Sequence, residues 1–254
     1  DDWTYDDLLA CCQELIDKGL GEGVYPFACP VDFQTWYYQT VYANGGYILN
    51  EDATETGYDL PETQEGIQCW IDMIEKGYAP SLNDINDTNA DARFQSGHLA
   101  MNLAGSYMVA EYLQNDAIIG KIDCVEVPAF NGKEPNCING LSYSVYANSK
   151  NLEEAKKFAV WMGSAEAMEI QGQNATVFPA RNDAQHCFAD SFPELNIAAY
   201  TNHVDEAVAL PVCEKAAELY DLEAEQLKHA YDGSKSLEEV CKTLKEEADA
   251  LISK

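Results

Sequence analysis

Ala92–Tyr107 reads ARFQSGHLAMNLAGSY. A short helical pattern, Asp91 to Phe94, breaks at Gly97. An apolar, strand-like run follows from Leu99 to Leu103 and stops at Gly105-Ser106, where Tyr107 opens the next helix. Small residues at a strand end let a ligand approach the backbone closely. The new helix offers free N–H groups there, and an aromatic at that point supplies a flat apolar face. Helix, strand and helix in such close succession point to an α/β chain, and the chemistry suits holding a sugar rather than cutting one.

The flanking segments repeat the alternation. Trp3-Thr4-Tyr5-Asp6-Asp7-Leu8 predicts a helix start, with Thr4 as N-cap, Asp7 at N3 and Trp3 stapled onto Leu8. That helix runs to about Lys18 and stops at Gly19. Residues 32–43 are aromatic-dense and helical in pattern, ending at Asn44-Gly45-Gly46. Residues 47–49 and 56–58 suit a small hairpin. Pro61 opens a helix whose Ile67, Trp70, Ile71 and Ile74 share one face, closed by Gly77.

Beyond the opening stretch, Cys124–Val127 reads as a short buried strand. Gly140–Ala147 alternates through Leu141, Tyr143 and Val145, the pattern of a half-buried strand. Helices are expected at 151–162, with Ala155, Phe158, Ala159 and Met162 facing inward, and at 165–173. Residues 176–181 are extended. Three further helices are expected at about 192–206, 212–231 and 237–252, the last capped by Ser236 with Glu239 at N3. Helices alternating with short strands define the α/β class.

Charge narrows the partners. The chain carries 44 acidic and 15 basic residues in 254, a net charge of −29. That field repels nucleic acid and anionic lipid surfaces and keeps a secreted protein soluble. No apolar run reaches spanning length. The start, DDWTYDD, has neither a basic region nor an apolar core, so any targeting segment is expected to lie outside this sequence. The nine cysteines are irregularly spaced without a C-x-x-C, and Cys69 and Cys241 fall among apolar neighbours, as buried free thiols do. The four histidines lack ligand spacing, so neither a metal nor a cofactor is expected.

Catalytic signatures are missing. There is no G-x-S-x-G, no H-E-x-x-H and no glycine-rich phosphate loop. Acidic pairs are numerous, but Glu153-Glu154, Glu223/Glu225 and Glu246-Glu247 have the look of solvated helix faces. The aromatics carry more information. Trp36 and Tyr37 precede a Gly-Gly turn, Tyr107 follows Gly105-Ser106, and Tyr220 lies on a tail helix. A sugar packs its C–H face on an aromatic plane and offers its hydroxyls to Asn, Asp, Gln or Arg.

In this order the segments WTYDDLLACCQELIDKG, YANGGYIL, PETQEGIQCWIDMIEKGYAP, ARFQSGHLAMNLAGSY, the run from VPAFNGKEPNCINGLSYSVYANS to EAMEIQ, VFPAR and YDGSKSLEEVCKTL resemble the extracellular solute-binding proteins of bacterial sugar ABC transporters, the maltose-binding-protein-like group. The resemblance implies a periplasmic-binding-protein-like fold, two α/β lobes that close on a carbohydrate and then dock on an ABC permease. It implies non-catalytic binding. A glycoside-acting enzyme with an acidic pair and a surface protein-interaction module are the alternatives. By position, Phe33, Gln34 and Trp36 line the cleft, and Ser106 and Tyr107 form the stacking site. Asn139 and Gly140 sit at a ligand-facing loop–strand junction, and Arg181 and Tyr220 complete the set. Tyr107 stands where tryptophan is commoner, and nine cysteines exceed the family habit.

Such proteins begin with a strand–helix–strand section of roughly a hundred residues that has no counterpart here. The resemblance therefore implies a largely complete C-terminal lobe, residues 1–126 and 187–254, and an incomplete portion of the N-terminal lobe, the crossover segment 127–186. Without sheet partners, that segment is expected to expose Leu141–Val145 and the Phe158/Trp161/Met162 face and to drive self-association. The implied location is extracellular or periplasmic, as a membrane-tethered lipoprotein or a free receptor.

Overall fold

The computed structural model describes residues 3–134 and 136–253. In chain order the helices are α1 (Tyr5–Lys18), α2 (Tyr38–Ala43), α3 (Pro61–Glu75), α4 (Leu82–Asp87), α5 (Ala90–Gln95), α6 (Val109–Tyr112), α7 (Leu152–Met162), α8 (Ala165–Gln173), α9 (Gln185–Ala189), α10 (Ala216–Tyr231) and α11 (Leu237–Ile252). A π-helical turn, Phe33–Tyr37, leads into α2, and a 3₁₀ turn, Ser106–Met108, leads into α6. Two short strands, β1 (Cys137–Ile138) and β2 (Val208–Ala209), pair in parallel with Cys137 opposite Val208.

The chain divides into two compact units. The larger comprises Asp1–Leu103, Val127–Ile138 and Asp205–Lys254, and the smaller Ala104–Glu126 and Asn139–Val204. Residues 104–126 and 187–204 thus cluster with 139–186, whereas boundaries at 126/127 and 186/187 were expected from the sequence.

In the larger unit, local signals set the helix ends. Thr4 accepts from the Asp7 N–H while the Asp7 carboxylate accepts from the Thr4 N–H at 2.8 Å, the reciprocal capping box. Ser236 and Glu239 repeat it at α11. The Thr4 segment is also tied to residue 129 by Tyr5 N–H to Ala129 O and Ala129 N–H to Trp3 O. The apolar stripes of α1, α3, α10 and α11 converge on Leu8, Ile67, Trp70, Leu227, Val240 and Leu244, all essentially buried.

Glycine sets how closely α2 and α3 approach. A Cβ on Gly66 would lie 2.6 Å from Val41 Cα and 2.7 Å from Val41 N, both backbone atoms that cannot yield. At that crossing Thr40 Oγ1 donates to Gly66 O at 2.5 Å and accepts from the Trp70 indole at 2.9 Å.

Several expected elements take another form. Leu99–Leu103 is extended but makes a single parallel bridge, Tyr25 with Leu99. The 47–49/56–58 hairpin reduces to one antiparallel bridge, Leu49 with Thr56. Residues 124–127 form no strand, and Val125 is half exposed. Residues 192–206 form two 3₁₀ turns, Ile197–Tyr200 and Val204–Glu206, rather than a helix. Pro193 breaks the pattern, and Asn196, Thr201 and Asn202 favour turns over helix interior.

The smaller unit has a modest core of Val109, Ala175, Phe188 and Ile197. The half-buried strand expected at 140–147 does not form: residues 140–146 join no strand among the described residues, Ala147 lies in a turn, and Leu141 is 82 % exposed. α7 forms where expected but buries none of its side chains, and its Phe158 is 60 % exposed. Helix and extended segment both leave apolar side chains in solvent, Phe158 and Val160 on the first and Leu141 and Tyr146 on the second.

The α2–α3 crossing gives a stability test. Gly66→Ala should cost about 2–3 kcal/mol by overpacking, read as a lower urea midpoint with an unchanged m-value. An unchanged midpoint would contradict the close approach.

Candidate functional site

The candidate residues of the larger unit gather around the π-helical turn and α10. Asp32 caps the turn by accepting from the Thr35 N–H at 3.2 Å. The extra residue per turn presents Phe33 to α10, where its ring stacks on Tyr220 with centroids 4.4 Å apart and planes 8° apart. The Tyr220 hydroxyl is anchored to Pro211 O at 3.2 Å. Phe33 and Gln34 are half-buried. Trp36 is turned into the core instead, 7 % exposed, with its indole N–H on Ala28 O at 3.1 Å. It therefore supports the turn from below.

Behind this pair lies a cluster the sequence reading missed. Glu223 was expected on a solvated face and is fully buried. Its carboxylate accepts from three phenols: Tyr38 at 2.8 Å, Tyr37 at 3.2 Å, and Tyr58. Burial pushes the Glu223 carboxyl up to about 7, and the three phenol donors pull it down. The missed signal was spacing. Leu219, Glu223 and Leu227 recur every fourth residue along the buried stripe of α10, with Ala230 and Tyr231 completing it. The other named glutamates, Glu153, Glu154, Glu225, Glu246 and Glu247, are exposed as expected.

The remaining candidates fall in the smaller unit. Tyr107 is 57 % exposed and lies over Gly105, where a Cβ would overlap its ring. The glycine that ends the extended run is thus what lets the ring lie back on the backbone. Ser106 begins the 3₁₀ turn and is half-buried. Asn139 and Gly140 are exposed on extended backbone directly after β1. Arg181 is exposed and forms a fork to Asp183, Nε to Oδ1 at 2.9 Å and Nη2 to Oδ2 at 2.6 Å.

The nine cysteines are free thiols, and Cys12, Cys29, Cys69, Cys187 and Cys241 are buried. Burial raises the Cys12 and Cys241 thiols to about 12, which keeps them protonated and inert. No helix among the described residues is long and apolar enough to cross a membrane.

The family model described as bacterial extracellular solute-binding protein matches residues 1–169. Binding proteins of Brucella abortus (strain 2308) and Brucella suis biovar 1 are 24 % identical over 260 residues, covering 99 % of this chain. The chain spans 61 % of the length of these relatives. Among solved structures, an ABC substrate-binding protein from Listeria monocytogenes in complex with cycloalternan superposes with a TM-score of 0.82. It is 22 % identical, over 99 % of this chain and 64 % of that one. The GacH receptor of Streptomyces glaucescens, solved with and without acarbose, gives 0.83 at 20 % identity, over 100 % and 65 %. Maltose-bound MalE3 of T. maritima gives 0.79 at 18 %, over 99 % and 66 %. The chain shares the α/β fold of these solute-binding proteins.

Glu223 makes stability depend on pH. Its carboxyl titrates higher folded than unfolded, so the folded chain binds the extra proton. That stabilisation is complete below the ordinary carboxylate range and is lost as pH rises toward about 7. Thermal or urea unfolding of wild type and Glu223→Gln between pH 4.5 and 8 should differ in slope. Wild type should lose on the order of 3 kcal/mol more over that interval. Parallel curves would refute the buried ionisable group.

Proposed function

We propose, from the premise that this chain belongs to the bacterial extracellular solute-binding proteins, that it is the greater part of a non-catalytic sugar receptor serving an ABC importer. In this reading the complete protein has two lobes that close on a mono- or oligosaccharide and present it to a membrane permease. The lobes follow the implied division, with residues 1–126 and 187–254 in one and 127–186 crossing into the other. The receptor works outside the cytoplasmic membrane, free or tethered as a lipoprotein.

The observation that carries the proposal is the exposed Tyr107 ring lying over Gly105. A half-exposed aromatic ring that follows Gly105-Ser106, beside the N–H groups of a new helical turn, suits the C–H face of a sugar. Phe33 and Tyr220 supply a second aromatic platform, with Gln34 as a polar edge. Ser106, Asn139, the Gly140 backbone and Arg181 offer further partners for hydroxyls. The sugars named for the solved relatives, cycloalternan, acarbose and maltose, make α-glucans the first ligands to try.

The test is a thermal-shift screen of the complete protein against monosaccharides and maltooligosaccharides. A receptor shows a midpoint that climbs with ligand concentration. Tyr107→Ala should weaken the best ligand about tenfold or more through loss of the stacking face, with an unliganded midpoint close to wild type. Release of product from a glycoside would overturn the non-catalytic reading.

A second expectation concerns the chain taken alone. Leu141, Tyr146, Phe158 and Val160 are 60–82 % exposed in the smaller unit. Apolar exposure of this type drives association, here with a second copy of the chain. Light scattering of the isolated chain should report a dimer or larger, and Phe158→Asp with Leu141→Asp should return it to monomer. A monomeric wild type would count against the idea.

A further inference from the structure

Glu223 occupies an unusual position for a carboxylate. It is fully buried on α10, three residues after Tyr220, so the two side chains leave the helix on neighbouring lines. Tyr37 and Tyr38 reach it from the end of the π-helical turn and the start of α2, and Tyr58 from the bridged segment after Thr56. Tyr42 of α2 and Tyr220 of α10 also feel its charge. Asp32, Tyr231 and Cys241 act in turn on its phenol partners. Among the described residues no lysine, arginine or histidine pairs with it. A buried carboxylate surrounded only by phenols has no fixed counter-charge, so its protonation state is decided by how many hydroxyls point at it.

We propose that Glu223 is a positioning residue for the sugar platform: by accepting from Tyr37, Tyr38 and Tyr58 together it fixes α10, and with it Tyr220, against the turn that carries Phe33, and so couples ligand affinity to the ionisation of one buried carboxyl. The proposal rests on the reading of Phe33 and Tyr220 as ligand-facing. An ionised carboxylate is acceptor-only and has room for three donors. Once protonated, it has fewer acceptor sites and its own O–H must donate to a phenol oxygen, so at least one phenol hydroxyl has to reverse and the hydrogen-bond geometry of the cluster changes. Two of the three phenols belong to the backbone that presents Phe33. Of the three, Tyr38 also packs against Phe33 with ring centroids 5.4 Å apart, so a shift of Tyr38 is passed to the Phe33–Tyr220 stack, whose centroids lie 4.4 Å apart. The ionised form therefore grips the platform and the neutral form releases it. By linkage, a ligand that needs the ordered platform also favours the ionised carboxyl.

Affinity of the complete protein for maltotetraose should rise about fivefold between pH 5.5 and 8.5, the effect of about one hydrogen bond. Glu223→Gln, a neutral mimic of the protonated acid, should hold the pH 5.5 affinity throughout. Ligand-free near-UV circular dichroism over the same range should titrate in wild type and be flat in Glu223→Gln. Tyr58→Phe removes a donor that favours ionisation and lies outside the platform, so it should move the spectroscopic midpoint and the midpoint of the affinity profile upward together, where a merely structural role would move the first alone. Identical titrations in wild type and Glu223→Gln, or a midpoint unmoved in Tyr58→Phe, overturn the proposal. A protein that ignores maltotetraose and the sugar panel at every pH, yet shows the Glu223-dependent titration, removes the sugar reading and supports the buried switch.

Discussion

The Glu223 carboxylate and its three phenols are the constraint on which the larger unit depends. Moving an isolated carboxylate out of water costs several kcal/mol, and nothing apolar at this position could satisfy Tyr37, Tyr38 and Tyr58 together. The cluster joins segments far apart in sequence, 37–38, 58 and 223, at one point. Such a network is close to all-or-none, because a phenol that loses its acceptor in the core is left with an unmet donor. The neighbouring Thr40 hub works the same way on a smaller scale, with one hydroxyl serving both Gly66 O and the Trp70 indole. Polar satisfaction, more than strand pairing, fixes the approach of α2, α3 and α10.

What was legible in the sequence was what is local. Capping boxes at Thr4/Asp7 and Ser236/Glu239 and the apolar stripe of α3 depend on residues within a few positions of each other. They can therefore be read without knowing the partner. The fold class follows from the order of these elements. The failures share a different cause. What failed at 140–147 is the half-buried strand read from alternation, since periodicity says nothing about whether a partner exists; the exposure of Leu141, Phe158 and Trp161 was itself expected from the resemblance. The 192–206 segment was misjudged because alanines and apolar residues suggested a helix that Pro193 and the Asn/Thr positions do not sustain.

The candidate site was legible in part, and unevenly for a physical reason. Tyr107 was singled out because it follows Gly105-Ser106, a local signal, whereas Phe33 and Tyr220 were named by their positions in the family resemblance rather than by any pattern around them. Trp36, which precedes a Gly-Gly turn, is spent on Ala28 O, since an indole N–H that finds a backbone carbonyl can be buried at little cost. Glu223 was hidden by composition. In a chain with 44 acidic residues one more glutamate attracts no notice, and only its four-residue spacing from Leu219 and Leu227 betrays it.

Net charge and platform chemistry then fit together. On the proposed sugar reading the ligand is uncharged, so a field of −29 neither attracts nor repels it, while that field disfavours anionic solutes. Within that acidic molecule a buried carboxylate looks redundant, and an apolar side chain of similar volume with phenylalanines in place of the tyrosines would be at least as stable. Stability therefore does not account for Glu223. Geometry does. Three hydroxyls converging on two oxygens define one relative placement of the π-helical turn and α10, whereas apolar packing tolerates several. If the Phe33–Tyr220 pair serves as the proposed ligand platform, it needs that uniqueness more than it needs another few kcal/mol.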